Sequence, residues 1–309
     1  MLRVYRIKAQ ASKNTLKIRG YPGIIIKKSF LQSLKRFSCK VISKEALCKT
    51  CSNAESCAYA SVASPNSKLK PFIIEPLVVS KRKGIIFNLI VLGKALSYEY
   101  QIIASLLNME LLGAKMKIES IKCHDPAEKK SMSVFNEVKG YTPSQRLHKS
   151  VDILKVFMKR AKALTSKRPS SITLTFKTPT RIIANGKLYF TPPLDAIISL
   201  TSSRYANLAK TFAIGGQLDS NKIEQTLKLI KEISMIATCN VRKLTLDIKR
   251  SSSITTLRFM TGSVTYSLAP PKDIKAFQLA LTILLIGKLI HVGEMTTAGC
   301  GKYSVELAY

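Results

Sequence analysis

The sequence predicts an α+β chain whose two halves share one order: strand, helix, strand, strand, helix, strand. Three observations predict it. Period-two stretches, such as Tyr303, Val305, Leu307 and Tyr309 alternating with Lys302, Ser304, Glu306 and Ala308, recur between stretches of helical spacing such as Ile274, Phe277, Leu281, Leu284 and Leu285. The pattern occurs twice in 309 residues, a length that suits two domains of roughly 150 residues. With 46% hydrophobic residues, each half has material for a core of its own.

In the first half, residues 1 to 8 alternate as a strand. Ile24 to Phe37 is read as a helix with Phe30, Leu31, Leu34 and Phe37 inward and Lys27, Lys28, Lys35 and Arg36 outward. Tyr21-Pro22-Gly23 supplies the turn and puts a proline just before that helix. Pro71 to Val79 and Gly84 to Leu92 are read as strands, the second so apolar that both its faces should be buried. Ser97 to Leu112 is read as a helix with Ile102, Ile103, Leu106 and Leu107 on one side. Gly113 ends it, and Met116, Ile118 and Ile121 begin another strand.

From Lys122 to Pro169 the pattern weakens, with Pro126 and Pro143 as breakers, a solvent-facing His148 and an amphipathic basic stretch from Val151 to Leu164. This is read as the connection between domains. In the second half Ile172, Leu174 and Phe176 mark a strand, Pro193 to Ile214 a helix ended by Gly215-Gly216, and Lys222 to Ile236 a second helical stretch. Leu244 to Ile248 and Val264 to Leu268 alternate as strands before the last helix and strand. The order within each half is that of a ferredoxin-like unit. The expected fold is therefore a tandem of ferredoxin-like (RRM-like, βαββαβ) domains. The first covers 1–165, with a cysteine-rich insertion at 39–70 and the connecting segment; the second covers 166–309 and carries a C-terminal glycine-rich loop.

Charge bounds the partner. Fifty Lys and Arg against 18 Asp and Glu give a formal +32, a self-repelling surplus that points to a polyanion and first to nucleic acid. An anionic membrane is the competing polyanion, but the cations are spread over the whole chain and no lipidation motif or isolated basic amphipathic helix is present. The apolar run from Leu279 is broken by Thr282 and stopped by Lys288, short of the ~20 residues that span a bilayer. The first residues interleave basic with apolar side chains, so no signal peptide is read and a cytoplasmic location is expected.

Cys39, Cys48, Cys51 and Cys57 place four thiols in nineteen residues with one C-x₂-C pair. Four thiolates suit a structural tetrahedral zinc, although the other two spacings are not those of a standard finger. A metal-free cysteine-rich loop and an iron–sulfur cluster are the other readings. Gly293, Gly299 and Gly301, with Lys302 at the exit, form a loop whose missing Cβ atoms allow peptide N–H groups to approach phosphate. Lys249, Arg250 and Arg258 lie in a basic, hydroxyl-rich turn region suited to phosphate contacts, or form a solvated hairpin tip.

Leu289 to Tyr303, reading Leu-Ile-His-Val-Gly-x-x-Thr-Thr-x-Gly-x-Gly-Lys-Tyr, resembles the C-terminal glycine-rich loop of the CRISPR-associated endoribonucleases that process precursor crRNA, members of the RAMP superfamily. Leu174 to Ile182, with Arg181, and Asn185-Gly186-Lys187 resemble that family's strand and Thr-Pro-x-Arg turn. Cys48 to Tyr59 is similar to the cysteine-rich insertion of one branch, Lys70 to Ile73 to the segment after it, and Gly84 to Gly113 to the branch's strand and helix.

The resemblance implies a hydrolase of antiviral defence that binds CRISPR repeat RNA and cuts one phosphodiester without metal. In that chemistry a 2′-OH attacks the adjacent phosphate, leaving a cyclic phosphate and a 5′-OH. It implies no cofactor for catalysis, partners among crRNA and other CRISPR effector subunits, and a monomer or homodimer. The alternatives are a non-catalytic crRNA-binding subunit of an effector complex and a basic zinc-containing nucleic-acid-binding protein unrelated to CRISPR. Many family members carry a general-base His in or near the first helix, yet no His precedes position 124 here. The catalytic candidates are therefore His291, Lys27 and Lys28. Glu294 stands where relatives often have a basic residue.

Overall fold

A computed structural model describes residues 2–11, 18–39, 48, 50–63, 69–80, 84–126, 130–144, 152–250 and 253–309. The chain divides into two compact units, one of Met1–Val151 with Phe212–Ile214, the other of Asp152–Thr211 with Gly215–Tyr309.

The first unit contains β1 (Leu2–Ala11), α1 (Pro22–Ser38), α2 (Ala58–Ala63), β2 (Phe72–Ser80), β3 (Gly84–Leu92), α3 (Glu99–Leu107), β4 (Glu110–Leu111), β5 (Ala114–Asp125), β6 (Lys130–Asn136) and β7 (Gly140–Tyr141). Its main strands run β2-β3-β1-β5, all antiparallel, which is the ferredoxin-like order. Alternation in β1 puts Tyr5, Ile7 and Ala9 into the core and Arg6 and Lys8 outside. Ile26, Phe30 and Leu34 recur every four residues on α1 and cover that face, with the Phe30 ring edge-on to Phe72 at 5.6 Å between centroids.

The second unit contains α4 (Ile153–Thr165), β8 (Ser171–Thr180), β9 (Ile182–Ala184), β10 (Lys187–Tyr189), α5 (Leu194–Phe212), α6 (Ser220–Ile233), β11 (Ser234–Arg250), β12 (Ser253–Leu268), α7 (Ile274–Ile290) and β13 (Tyr303–Ala308). Its strand order, β11-β12-β8-β13, repeats that of the first unit, again antiparallel throughout. The chain is thus a tandem of ferredoxin-like units. Helix α7 is apolar almost all round because α4 and α6 pack on it while Phe277, Leu281 and Leu284 join the core. Among the described residues no helix is long and apolar enough to cross a membrane.

Four elements differ from the pattern reading. The helix expected to reach Leu112 stops at Leu107; Leu112 and Gly113 both have positive φ, 52° and 76°, and form the two-residue turn of the β4–β5 hairpin. The stretch expected to connect domains instead adds β6 and β7 to the first sheet and forms α4. The helical stretch expected to Ile236 ends at Ile233, and β11 starts at Ser234. Asn185 and Gly186 form the tip of a small hairpin, β9–β10.

Candidate functional site

The glycine-rich segment follows directly from how α7 begins and ends. Asp273 caps the helix, its Oδ1 accepting the N–H groups of Lys275 (2.9 Å) and Ala276 (3.0 Å). At the other end the His291 N–H donates to Gly287 O at 2.8 Å. There the backbone turns sharply, with φ 61° and ψ 163° at His291, a region almost reserved for glycine. The His291 side chain is fully buried and its Nδ1 lies 3.0 Å from Cys300 O. One residue on, the Val292 N–H donates to Gly301 O at 3.0 Å, so the two ends of the loop are joined by both a side chain and the backbone.

The loop is then stitched to the end of β8. The Gly301 N–H donates to Pro179 O (3.0 Å), the Glu294 N–H to Arg181 O (3.1 Å), and the Lys177 N–H to Lys302 O (2.8 Å). Thr178 Oγ1 accepts from the Lys302 N–H at 3.0 Å and donates to Gly299 O at 2.8 Å. This explains the glycines. A Cβ on Gly301 would stand 1.8 Å from Val292 O and one on Gly293 2.3 Å from Arg181 O, while Gly299 ends a single 3₁₀ turn with φ 84°. The expectation was that these glycines present N–H groups to phosphate. Those of Gly299, Gly301, Lys302 and Glu294 instead donate to Thr296, Pro179, Thr178 and Arg181. The glycines allow close packing of the chain on itself, and the loop presents a surface whose shape is held from beneath.

Side chains around this stitch are pinned in turn. Arg181 Nε donates to Glu294 Oε2 at 2.7 Å and Nη1 to Arg258 O at 3.1 Å, tying the Thr-Pro-x-Arg turn to the loop and to β12. Glu294 is thereby the partner of Arg181. Arg204 on α5 donates Nε to Ile290 O at 2.8 Å, and among the described residues its buried Nη2 has no hydrogen-bond partner. Burial holds its pKa down to about 10, and its cation complements the carboxyl end of α7. Pattern reading missed Arg204, because a single arginine on a helix carries no spacing signal.

Beyond Met260 strand β12 leaves β8 but stays paired with β11 as far as Arg250 and Ser253. Residues 242–250 and 253–259 thus form a two-stranded ribbon. It carries Arg242, Lys243 and an exposed Arg258, with Lys249 and Arg250 at its far end opposite Ile254 and Ser253. Its Asp247 accepts from Thr256 Oγ1 at 2.6 Å, and Lys243 Nζ stands 4.8 Å from the Phe190 ring centroid.

The other candidates lie in the first unit. On α1, Lys27 is half-buried and Lys28 exposed at the rim of a groove of about 400 Å³, also lined by Ser29, Ser33, Arg36 and Glu110. Lys70, just before β2, was not singled out from sequence. Burial and then the charge of Lys27 lower its pKa. Cys39, Cys48, Cys51 and Cys57 gather near one another: burial first, then the charges of Cys57, Cys39 and Cys51, push the Cys48 thiol up, against a downward pull from Lys35. Among the described residues, however, no group of three or more His, Cys, Asp or Glu is disposed to hold a metal ion. His124 sits half-buried in β5, and His148 lies outside the described residues.

Two ferredoxin-like units, the second closed by a glycine loop stitched to its first strand, define the class of protein. Residues 174–303 match the family model of the CRISPR-associated endoribonuclease Cas6, a match that supports a CRISPR-associated, Cas6-type family member. Residues 1–147 match a second family model, described as an N-terminal domain. Among solved structures the chain is similar to a Cas6 product complex (14% identity, TM-score 0.61, 99% of this chain and 100% of that one). It is also similar to Thermus thermophilus Cas6 (13%, 0.60, 99% and 98%). A third match is a partial Cas6-RT-Cas1–Cas2 complex (13%, 0.57, 99% of this chain and 46% of that one). No curated protein matches the sequence.

Proposed function

We propose that this protein excises crRNA from its precursor by binding CRISPR repeat RNA and cutting it through attack of a 2′-OH on the neighbouring phosphate. The observation that carries the reading is the stitched glycine loop within the matched residues 174–303, set in a chain of formal charge +32. The reaction transfers the 2′-OH proton to a base, closes a 2′,3′-cyclic phosphate through a phosphorane, and delivers a proton to the departing 5′ oxygen. No step needs a metal. Lys27, Lys28 and Lys70 are the groups assigned to it. An ammonium stabilises the phosphorane and can donate the proton, and a lowered lysine pKa gives Lys70 more of the neutral form that can accept one. His291, buried against Cys300 O, is assigned to holding the loop. The protein is read as cytoplasmic, with crRNA and further CRISPR effector subunits as partners, and as a monomer or homodimer.

The burial of His291 favours one second reading, a non-catalytic crRNA-binding subunit of an effector complex. Labelled repeat RNA separates the two. Cutting in the presence of chelator, abolished by a single 2′-deoxy at the scissile position, is the expected result; binding without cutting would establish the subunit instead. A structural zinc at Cys39, Cys48, Cys51 and Cys57 stays a proposal, supported by the proximity of the four thiols. About one zinc per chain in purified protein is expected, and its absence would leave a metal-free cysteine loop.

A further inference from the structure

The basic stretch just before β8 is a helix with one face committed to the core and the other to solvent. Ile153, Leu154, Phe157, Ala161 and Thr165 are buried, and α4 packs on α7 through them. Lys155, Lys159 and Lys162 are exposed, and at spacings of four and three they fall on one side of the helix. From Ile153 to Arg168 the sequence contains no Asp or Glu, and among the described residues no ion pair involves these three lysines.

Helix α6 makes the contrast. It too shows exposed lysines, Lys222, Lys228 and Lys231, but Asp219, Glu224 and Glu232 accompany them and Lys222 lies 3.9 Å from Asp219. Ordinary surface helices balance charge in this way. On α4 the like charges at i, i+4 and i+7 work against the helix, and from residue 152 to 168 the N-cap Asp152 is the sole acidic residue. The helix carries one more cation on another flank, turned away from these lysines. Arg160, stacked on Phe157 with its guanidinium 4.9 Å from the ring centroid, is an electrostatic neighbour of Lys288 at the end of α7, as is Lys302 at the loop exit. Burial and then the charges of Arg160 and Lys302 lower the Lys288 pKa.

We propose that the exposed face of α4 is a second RNA-backbone site, in which Lys155, Lys159 and Lys162 neutralise phosphates of the bound RNA. This rests on the RNA-binding reading above and extends it to an element outside the matched residues 174–303. Flexible ammonium groups on one helix face bind phosphates without reading bases, so the site adds affinity for any RNA sequence that lies across this face.

The test is the triple variant Lys155→Gln, Lys159→Gln, Lys162→Gln in the full chain, with the Lys222→Gln, Lys228→Gln, Lys231→Gln triple on α6 as comparison. Glutamine keeps helix propensity. Affinity for labelled repeat RNA and for an unrelated RNA of equal length is measured from 50 to 200 mM salt. Three lost phosphate contacts should lower both affinities about 10- to 100-fold near 0.1 M salt and flatten the log–log salt slope by about 2 to 3. The α6 variant should match wild type in affinity and slope. An α4 variant with wild-type affinity and slope overturns the site while wild-type binding leaves the reading beneath it standing. A wild type that ignores repeat RNA sinks that reading itself. If the α4 variant loses only association with an acidic protein partner, the face serves protein and the proposal is wrong.

Discussion

Replacing Gly301 by alanine is expected to destabilise the second unit by about 2–5 kcal/mol. The estimate joins two costs: about 1–2 kcal/mol for an L-residue in left-handed backbone and about 1–3 for overpacking. The new methyl group would lie 1.8 Å from Val292 O and 2.9 Å from Val292 C. Neither atom can yield without breaking the Val292 N–H bond to Gly301 O or the Gly301 N–H bond to Pro179 O. Because both bonds belong to the stitch, RNA affinity should fall with stability. The proper comparison is Gly186→Ala in the same unit. Gly186 has φ 73° but nothing within 4 Å of an added Cβ, so only the backbone cost of about 1–2 kcal/mol applies. Denaturant unfolding of the three proteins, followed by a probe in the second unit, measures the gap. Equal losses at 301 and 186 would mean that the loop is not packed as described.

The two ferredoxin-like units were legible because their principal elements bury one face each. Tyr5, Ile7 and Ala9, or Ile172, Leu174 and Phe176, alternate, and Ile26, Phe30 and Leu34 step round a helix. What escaped lacks a buried face. Thr238, Cys239, Asn240, Arg242 and Lys243 of β11 are all exposed, so no alternation marks the ribbon until Leu244, and only the end of that strand was read. In β6 only Val134 is buried, and one residue makes no period. The amphipathic character of α4 was visible, but its partner α7 lies more than a hundred residues later, and helix-to-helix contact has no sequence period. The same distance hid the stitch. The Leu289–Tyr303 and Leu174–Ile182 motifs were each recognised, yet only the fold shows that they bind each other through Pro179, Arg181 and Thr178. It also turns the use of the glycines from presenting N–H groups to admitting a close backbone contact.

His291→Gly should be more stable than His291→Ala, the reverse of the usual order, in which glycine is worse by about 0.5–1 kcal/mol. Both variants lose the buried ring and its contact with Cys300 O. Alanine additionally keeps the strain of φ 61° and ψ 163°, which costs an L-residue about 1–3 kcal/mol, and glycine relieves it. Less that glycine penalty, the difference between the two variants should reach up to about 2.5 kcal/mol in favour of glycine, read by the same denaturant unfolding. Activity then tells holding from chemistry. If His291 only positions the loop, RNA affinity and cutting fall together in both variants, cutting recovers in part where stability does, and the pH–rate profile of cutting keeps its shape. Were the imidazole to move a proton in the reaction, both variants would bind repeat RNA normally, cut it far more slowly and lose one limb of that profile. The burial of the ring against the Cys300 carbonyl predicts the first outcome.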